Sequence, residues 1–210
     1  MEAKELFARH DCFKDAAETA SLRQGFSPRV VQRTRQAFTF KRHLESLLSV
    51  TQAIGSVFEM EELLQEIVAY AMEVTGAQRG CILLHSKETK NLELRVGRGW
   101  GAEMSGKAFS YESYGVSLTL VEQVRRRTEA LIASSKEQGE IGAELTLYGV
   151  RQAMAVPLRT KERDLGVLYL DNHLTDSVFG NDELELMKSF AIQAAVSIEN
   201  TRLVQELVEQ

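Results

Sequence analysis

Few residue types in this chain could carry chemistry, and their spacing restricts what that chemistry can be. The two cysteines, Cys12 and Cys81, lie far apart and are too few for a disulfide framework or a zinc cluster. His10, His43, His85 and His173 form no metal-binding pair at helical spacing, so no metal site is expected. A redox-active thiol needs exposure and nearby positive charge. Cys81 sits inside the apolar run RGCILLHS, and strand alternation can turn Arg79 away from it, so it reads as a buried structural residue. Ser117 precedes a helical stretch at about 118–127. As an N-cap it would stand beside free backbone N–H groups that favour a phosphate or a carboxylate. No nucleophile, base and orienting group can be assembled from the motifs, so a non-catalytic protein is expected.

These residues sit in a chain of 210 residues, 44% hydrophobic and 26% charged, an ordinary globular composition. The length suits one domain of about 150 residues with extensions. The formal net charge of -5 gives no electrostatic footprint for nucleic acid. No apolar run reaches transmembrane length, so no membrane association is expected. The opening MEAKELFARHDC lacks the apolar core of a secretory signal, and a cytoplasmic location is the expectation.

Residues 1–36 read as a separate N-terminal helical extension or linker, with short helices around 2–10 and 12–23 and a turn-like GFSPR. Arg29, Arg33, Arg35, Lys41 and Arg42, with no acid among them, suit either an interaction arm or a solvated helical linker. A helix at about 37–57 presents Leu44, Leu47, Leu48, Thr51, Ile54 and Phe58 at three- and four-residue steps. A second, at 60–75, opens on Glu59, Glu61 and Glu62 and ends before Gly76, a candidate left-handed cap. Strands are expected at 79–86 and 92–97, paired as a hairpin, then at 107–112 and 129–133. The helix at 118–127 closes on Arg125, Arg126 and Arg127, and another short helix lies near 143–149. The hairpin QAMAVPLRT (152–160) and DLGVLYLDN (164–172) leads into a long C-terminal helix. Hairpins dominate, so the fold expected is α+β: a central antiparallel sheet of about six strands, with helices covering it.

In that helix Leu184, Met187, Ala191, Ala194, Ile198 and Thr201 alternate three- and four-residue steps, continued by Gln205 and Val208. The row reads as a heptad seam for a homodimer. The same stripe could instead pack on the helix at 37–57 within one chain, and a dimer's four helices could satisfy both readings.

The helix pair HLESLLSVTQAIGSVFEMEELLQEIVAYAMEVTGAQRGCILL, the strand Val156-Pro157-Leu158, the run Gly166-Val167-Leu168-Tyr169-Leu170-Asp171 and the ending AIQAAVSIENTRL resemble, in order and spacing, a GAF domain of bacterial signalling proteins. The resemblance runs from about Leu44 to Leu207. It divides the chain into the extension at 1–36, a GAF domain at 37–200, and a continuation of the signalling helix at 201–210. It implies a GAF/PAS-like fold with the terminal helices on one sheet face and short helices and loops on the other.

The resemblance also implies a sensory or regulatory module that binds a small molecule, dimerises through its terminal helices and signals to an output domain or protein partner. The alternative is a purely structural dimerisation module without ligand. The sequence carries no kinase signature and no Gly-rich lysine loop, so the output is expected outside it, whether the chain is a piece of a larger regulator or a stand-alone module. The family's pocket would fall near Phe109, Ser110, Ser117, Leu118, Tyr148 and Met154. The cyclic-nucleotide branch is matched loosely by Asn172-His173, Phe179 and Asp182-Glu183, with histidine in place of the branch's lysine and Phe179 one residue too close to the acids. The bland reading is a strand end followed by a helix start. No Cys-His pair occurs, so no covalent bilin is expected. His85 stands without a supporting motif, and haem is disfavoured. A sulfoxide reductase of this family would need a cysteine cluster that is absent.

Overall fold

The protein is described by a computed structural model over residues 58–86, 89, 91–101, 104–105, 114–175 and 177–208. In chain order the elements are α1 (Phe58–Thr75), β1 (Arg79–His85), β2 (Leu92–Arg98), β3 (Met104–Ser105), α2 (Leu118–Arg127), β4 (Leu131–Ser134), α3 (Glu140–Leu147), β5 (Gln152–Arg159), β6 (Asp164–Asn172) and α4 (Asn181–Val208). The strands form one six-stranded sheet in the order β3-β2-β1-β6-β5-β4, and every pairing is antiparallel.

The near-continuous apolar runs of β1, β5 and β6 follow from burial of both sheet faces. Side chains on a strand alternate between faces. Ile82, Leu84, Met154, Val156, Leu158, Leu168 and Leu170 enter one core with Leu64, Ile67, Val68 and Ala71 of α1 and Met187, Phe190, Ala194 and Ile198 of α4. Cys81, Leu83, Ala153, Ala155, Val167 and Tyr169 enter a second, with Leu120, Val121 and Val124 of α2 and Leu145 of α3. The long helices therefore cover one face and the short helices the other, as the family resemblance implies.

Local chemistry sets the boundaries. Gly76, at φ +73°, closes α1 with its N–H on the Met72 carbonyl. Ser117 caps α2 by accepting from the Leu120 N–H, 3.3 Å. At the start of α4 the Gly180 N–H donates to the Glu183 carboxylate, 3.0 Å, so the acids there serve the helix terminus. The amide of Gln152 pairs in both directions with the main chain of Phe179, each bond 2.8 Å, and so clamps the entry of α4 to the start of β5.

Three boundaries differ from expectation. The helix expected near 143–149 begins at Glu140, because Gly139 at φ +117° turns the chain into it without a side-chain cap. The strand expected at 129–133 lies at Leu131–Ser134. The strand expected at 107–112 falls outside the described residues, and the short strand beside β2 is Met104–Ser105. The helices expected at 2–10, 12–23 and 37–57 also lie outside the described residues.

Gly166 is required by a close approach. It sits in β6 at φ +154°, and a Cβ there would lie 1.9 Å from the Leu83 carbonyl oxygen of β1. Gly166→Ala is expected to lower unfolding free energy by at least ~2 kcal/mol through backbone strain and overpacking. Urea denaturation of both proteins checks this. An unchanged midpoint would show that β1 and β6 can separate locally without cost.

Candidate functional site

The face covered by the short helices holds a buried carboxylate and the arginine that pairs with it. Asp171, at the end of β6, is fully buried, and the sheet register places Arg79 of β1 opposite it. Arg79 Nε donates to Asp171 Oδ1 at 2.8 Å, and Nη2 donates to Oδ2. The same guanidinium donates to the carbonyls of Tyr114 and Gly115, both at 3.3 Å. It also lies 4.7 Å from the centre of the Trp100 ring, whose Nε1 donates to the Tyr114 carbonyl at 2.8 Å. His173 Nε2 stands 3.5 Å from Asp171 Oδ1. Arginine suits this place because its planar fork serves a carboxylate and two carbonyls at once and stacks on an aromatic face.

Cys81 and Tyr169 are register partners beside this ion pair, both fully buried. Strand alternation keeps Arg79 on the face of Cys81, two residues away, rather than turning it aside. Burial nevertheless dominates: it pushes the Cys81 thiol up, the Asp171 carboxylate adds to the rise, and Arg79 opposes it. Burial first and Asp171 second push the Tyr169 phenol well up, while the Ser117 backbone beside it works the other way. Cys81 is thus an inert, protonated thiol.

The start of α2 is already served by an anion. Glu144 of α3 accepts from Ser117 Oγ at 2.6 Å, from the Leu118 N–H at 3.1 Å and from the Thr119 N–H at 3.1 Å. The free N–H groups expected behind Ser117 are therefore bonded to a carboxylate of the chain itself. No spacing rule reveals this contact, because its partners are about 26 residues apart.

Of the expected pocket residues, Phe109 and Ser110 lie outside the described residues. Ser117 is fully buried at the cap. Leu118 borders an open depression of about 500 Å³ along the outer side of α2, with Thr119, Glu122, Arg126 and Glu140. Tyr148 is half-buried, and its Cβ lies close over Gly115, 3.2 Å from where a Cβ of that glycine would stand. Met154 does not join this group: alternation along β5 sends it to the opposite face, into the core under α1 and α4.

The loose nucleotide motif resolves into local structure. The side chain of Asn172 accepts from the N–H groups of Leu174 and Thr175, and the His173 imidazole faces Asp171. His85 lies 3.4 Å from Asp164. Among the described residues no group of three or more His, Cys, Asp or Glu side chains could hold a metal ion.

The expected seam on α4 occupies the helix's inward side. Met187, Ala191, Ala194, Ile198 and Thr201 are buried in this chain's own fold, and Leu184 is packed at its margin. The outward apolar residues are Ile192, Val196, Leu203, Val204 and Leu207, exposed by 57%, 43%, 47%, 38% and 74%.

Two outcomes test this arrangement. Arg79→Ala leaves the Asp171 carboxylate buried and unpaired, and a loss of about 3–5 kcal/mol is expected. Adding Asp171→Asn should restore part of it, as chemical denaturation would report. Cys81 gives a pH dependence. Its folded pKa lies above the ordinary 9.0, so its contribution is complete below pH 9 and is lost as pH rises and the unfolded thiol ionises. Stability should fall there with a slope approaching about 1.4 kcal/mol per pH unit, and Cys81→Ala should flatten that slope. In a Cys12→Ser background, a thiol reagent should label Cys81 no faster than the protein unfolds.

The family model described as GAF domain matches residues 59–198. An uncharacterized sensor-like histidine kinase of Chloroflexus aurantiacus is 21% identical over 179 residues, 85% of this chain and 29% of that protein. The chain thus spans under a third of that curated relative. Among solved structures, the phycoerythrobilin-bound GAF domain of a cyanobacterial phytochrome superposes with a TM-score of 0.59 at 15% identity, covering 81% of this chain and 96% of the other. The GAF domain region of a putative membrane protein from Geobacter sulfurreducens PCA gives 0.55 at 16% identity, covering 68% and 95%. These structural likenesses are of fold. With the family model matching most of the chain over the segment that carries the two-faced sheet, the chain belongs to the GAF domain family.

Proposed function

We propose that the chain is a non-catalytic sensory or regulatory module that binds a small molecule, pairs with a second copy through its terminal helices, and signals to an output domain or protein partner. The observation that carries this reading is α4. It is 28 residues long, packed along one side against the domain's own sheet, and carries exposed apolar residues on its outward side as well. Ile192, Val196, Leu203 and Leu207 step by four, seven and four residues, which suits a seam with a second copy of the same helix. The pairing face is assigned to this outward row, because the inward row of Met187, Ala191, Ala194 and Ile198 is already occupied. The sensor-like kinase relative supports a regulatory context. In this reading the domain occupies 37–200, with 1–36 as an extension and 201–210 as the continuing helix. Among the described residues no helix is long and apolar enough to cross a membrane.

A second reading, a structural dimerisation module without ligand, is favoured by Glu144, which fills the place where an anionic ligand would sit. A cyclic-nucleotide site has less support, since His173 faces Asp171 and the acids of α4 serve the helix start.

Sedimentation equilibrium tests the pairing. A dimer is expected, with Ile192→Glu and Leu203→Glu each weakening it about tenfold to a hundredfold, the value of one buried aliphatic side chain. A strict monomer at high micromolar concentration would remove the dimer from the proposal. Thermal denaturation against nucleotides, haem and metabolites separates the two readings, because a specific ligand at ~100 times its dissociation constant adds about 2.7 kcal/mol.

A further inference from the structure

One residue past β6, His173 follows Asp171 by two, the spacing that returns a side chain to the same sheet face. Its Nε2 stands 3.5 Å from Asp171 Oδ1, yet it is buried and makes no hydrogen bond. The same oxygen already accepts from Arg79 Nε at 2.8 Å. A neutral imidazole carries one N–H, and its other nitrogen can only meet a carboxylate lone pair to lone pair. Protonation puts a hydrogen on both ring nitrogens, and the contact becomes a charge-assisted bond. The side chain is 31% exposed, so protons reach the ring although Nε2 lies inside. A lysine here would keep its charge at neutral pH, whereas a histidine changes charge between about pH 5 and 8.

The groups around the ring leave this proton as the variable. Asp171 comes from the same strand and Arg79 from β1, and a guanidinium stays charged throughout. Just before β1, Gln78 Oε1 accepts the His173 N–H at 2.7 Å and holds the backbone in place. The exit of α3 meets the ring at Gly149, where a Cβ would lie 3.9 Å from Nδ1, and this residue is uncharged. The start of β5 reaches the corner through the Arg151 N–H, on the Asn172 carbonyl at 2.8 Å, while Arg151 itself is exposed. Cys81 and Tyr169 lie beside the same carboxylate, and burial keeps both protonated. The helices α1 and α4 pack on the opposite face of the sheet.

Arg79 carries the effect onward. Its Nε and Nη2 bind Asp171, Nη1 and Nη2 hold the carbonyls of Tyr114 and Gly115, and its plane lies 4.7 Å from the centre of the Trp100 ring. A second cation at Oδ1 competes with Nε, and a rigid planar fork cannot shift one donor without shifting the others. We propose that His173 is a proton switch on the Arg79–Asp171 pair: its protonation draws Oδ1 from Arg79 Nε and, through the guanidinium, moves Trp100 and the backbone leading into α2. The device needs neither a ligand nor a second copy of the chain, so its outcome is separate from the reading above.

The test is an NMR titration of the 15N-labelled full chain from about pH 8 to 5 at constant ionic strength. Trp100 is the chain's single tryptophan, so one indole N–H cross-peak reports the bond from Nε1 to the Tyr114 carbonyl. That peak is expected to shift reversibly as one proton binds, with the same midpoint as the His173 ring resonances. His10→Gln, His43→Gln and His85→Gln combined leave one imidazole and should keep both the shift and its midpoint. His173→Gln should abolish the shift. Asp171→Asn should leave the ring titrating while the indole peak stays still; an equal shift there would reveal only the field of the imidazolium and overturn the switch. Should His173→Gln fail to fold, the triple histidine variant still decides. A His173 ring that does not titrate in this range would overturn the proposal. So would a titrating ring beside an unmoved indole peak, or an indole shift that persists in His173→Gln.

Discussion

The buried carboxylate of Asp171 is the constraint around which this face of the domain is organised. A charge removed from water must be compensated in place, and here one arginine supplies the compensation from the neighbouring strand. Its remaining donors then fix the backbone at Tyr114 and Gly115, three residues before α2, and its flat surface holds Trp100. The position of α2 against the sheet thus depends on where that ion pair lies. Neutralising a strand end in this way costs little sequence, yet it ties β1, β6, the exit of β2 and the approach to α2 to one point.

The second organising contact is also a carboxylate, but its surroundings differ. Glu144 is only half-buried and meets backbone N–H groups and a hydroxyl instead of a cation. Asp171 holds together strands that are hydrogen-bonded in any case, whereas Glu144 links two helices to each other. The first contact is structural by position. The second joins two helices that also pack on the sheet, through Leu120, Val121 and Val124 of α2 and Leu145 of α3.

Much of the architecture was legible because local chemistry and burial agree. The helix α2 matches its expected span, since Ser117 and the three terminal arginines mark both ends. The hairpin β5–β6 was readable from two apolar runs around a polar turn, and the one departure there, Gly166, has its reason in the approach of Leu83. What escaped was partnership. A three-four spacing identifies the stripe Met187-Ala191-Ala194-Ile198, but over four turns a seam toward a second chain and a face toward one's own sheet look alike. Met154 was misplaced relative to Tyr148 because a one-residue change of face in β5 is invisible without register. Glu144 and Tyr169 carried no local signal, since their roles arise from contacts made by distant segments of the chain.

The clamp between Gln152 and Phe179 gives α4 a fixed root. Both hydrogen bonds lie in the buried interior, and the helix leaves that point for 28 residues, about 42 Å at 1.5 Å per residue. Geometry then works as a pointer on a dial. One degree of tilt at the root sweeps the far end through about 0.7 Å on that length, so a repacking too small to alter the core's contacts still arrives at the tip as a displacement on the scale of an atomic radius.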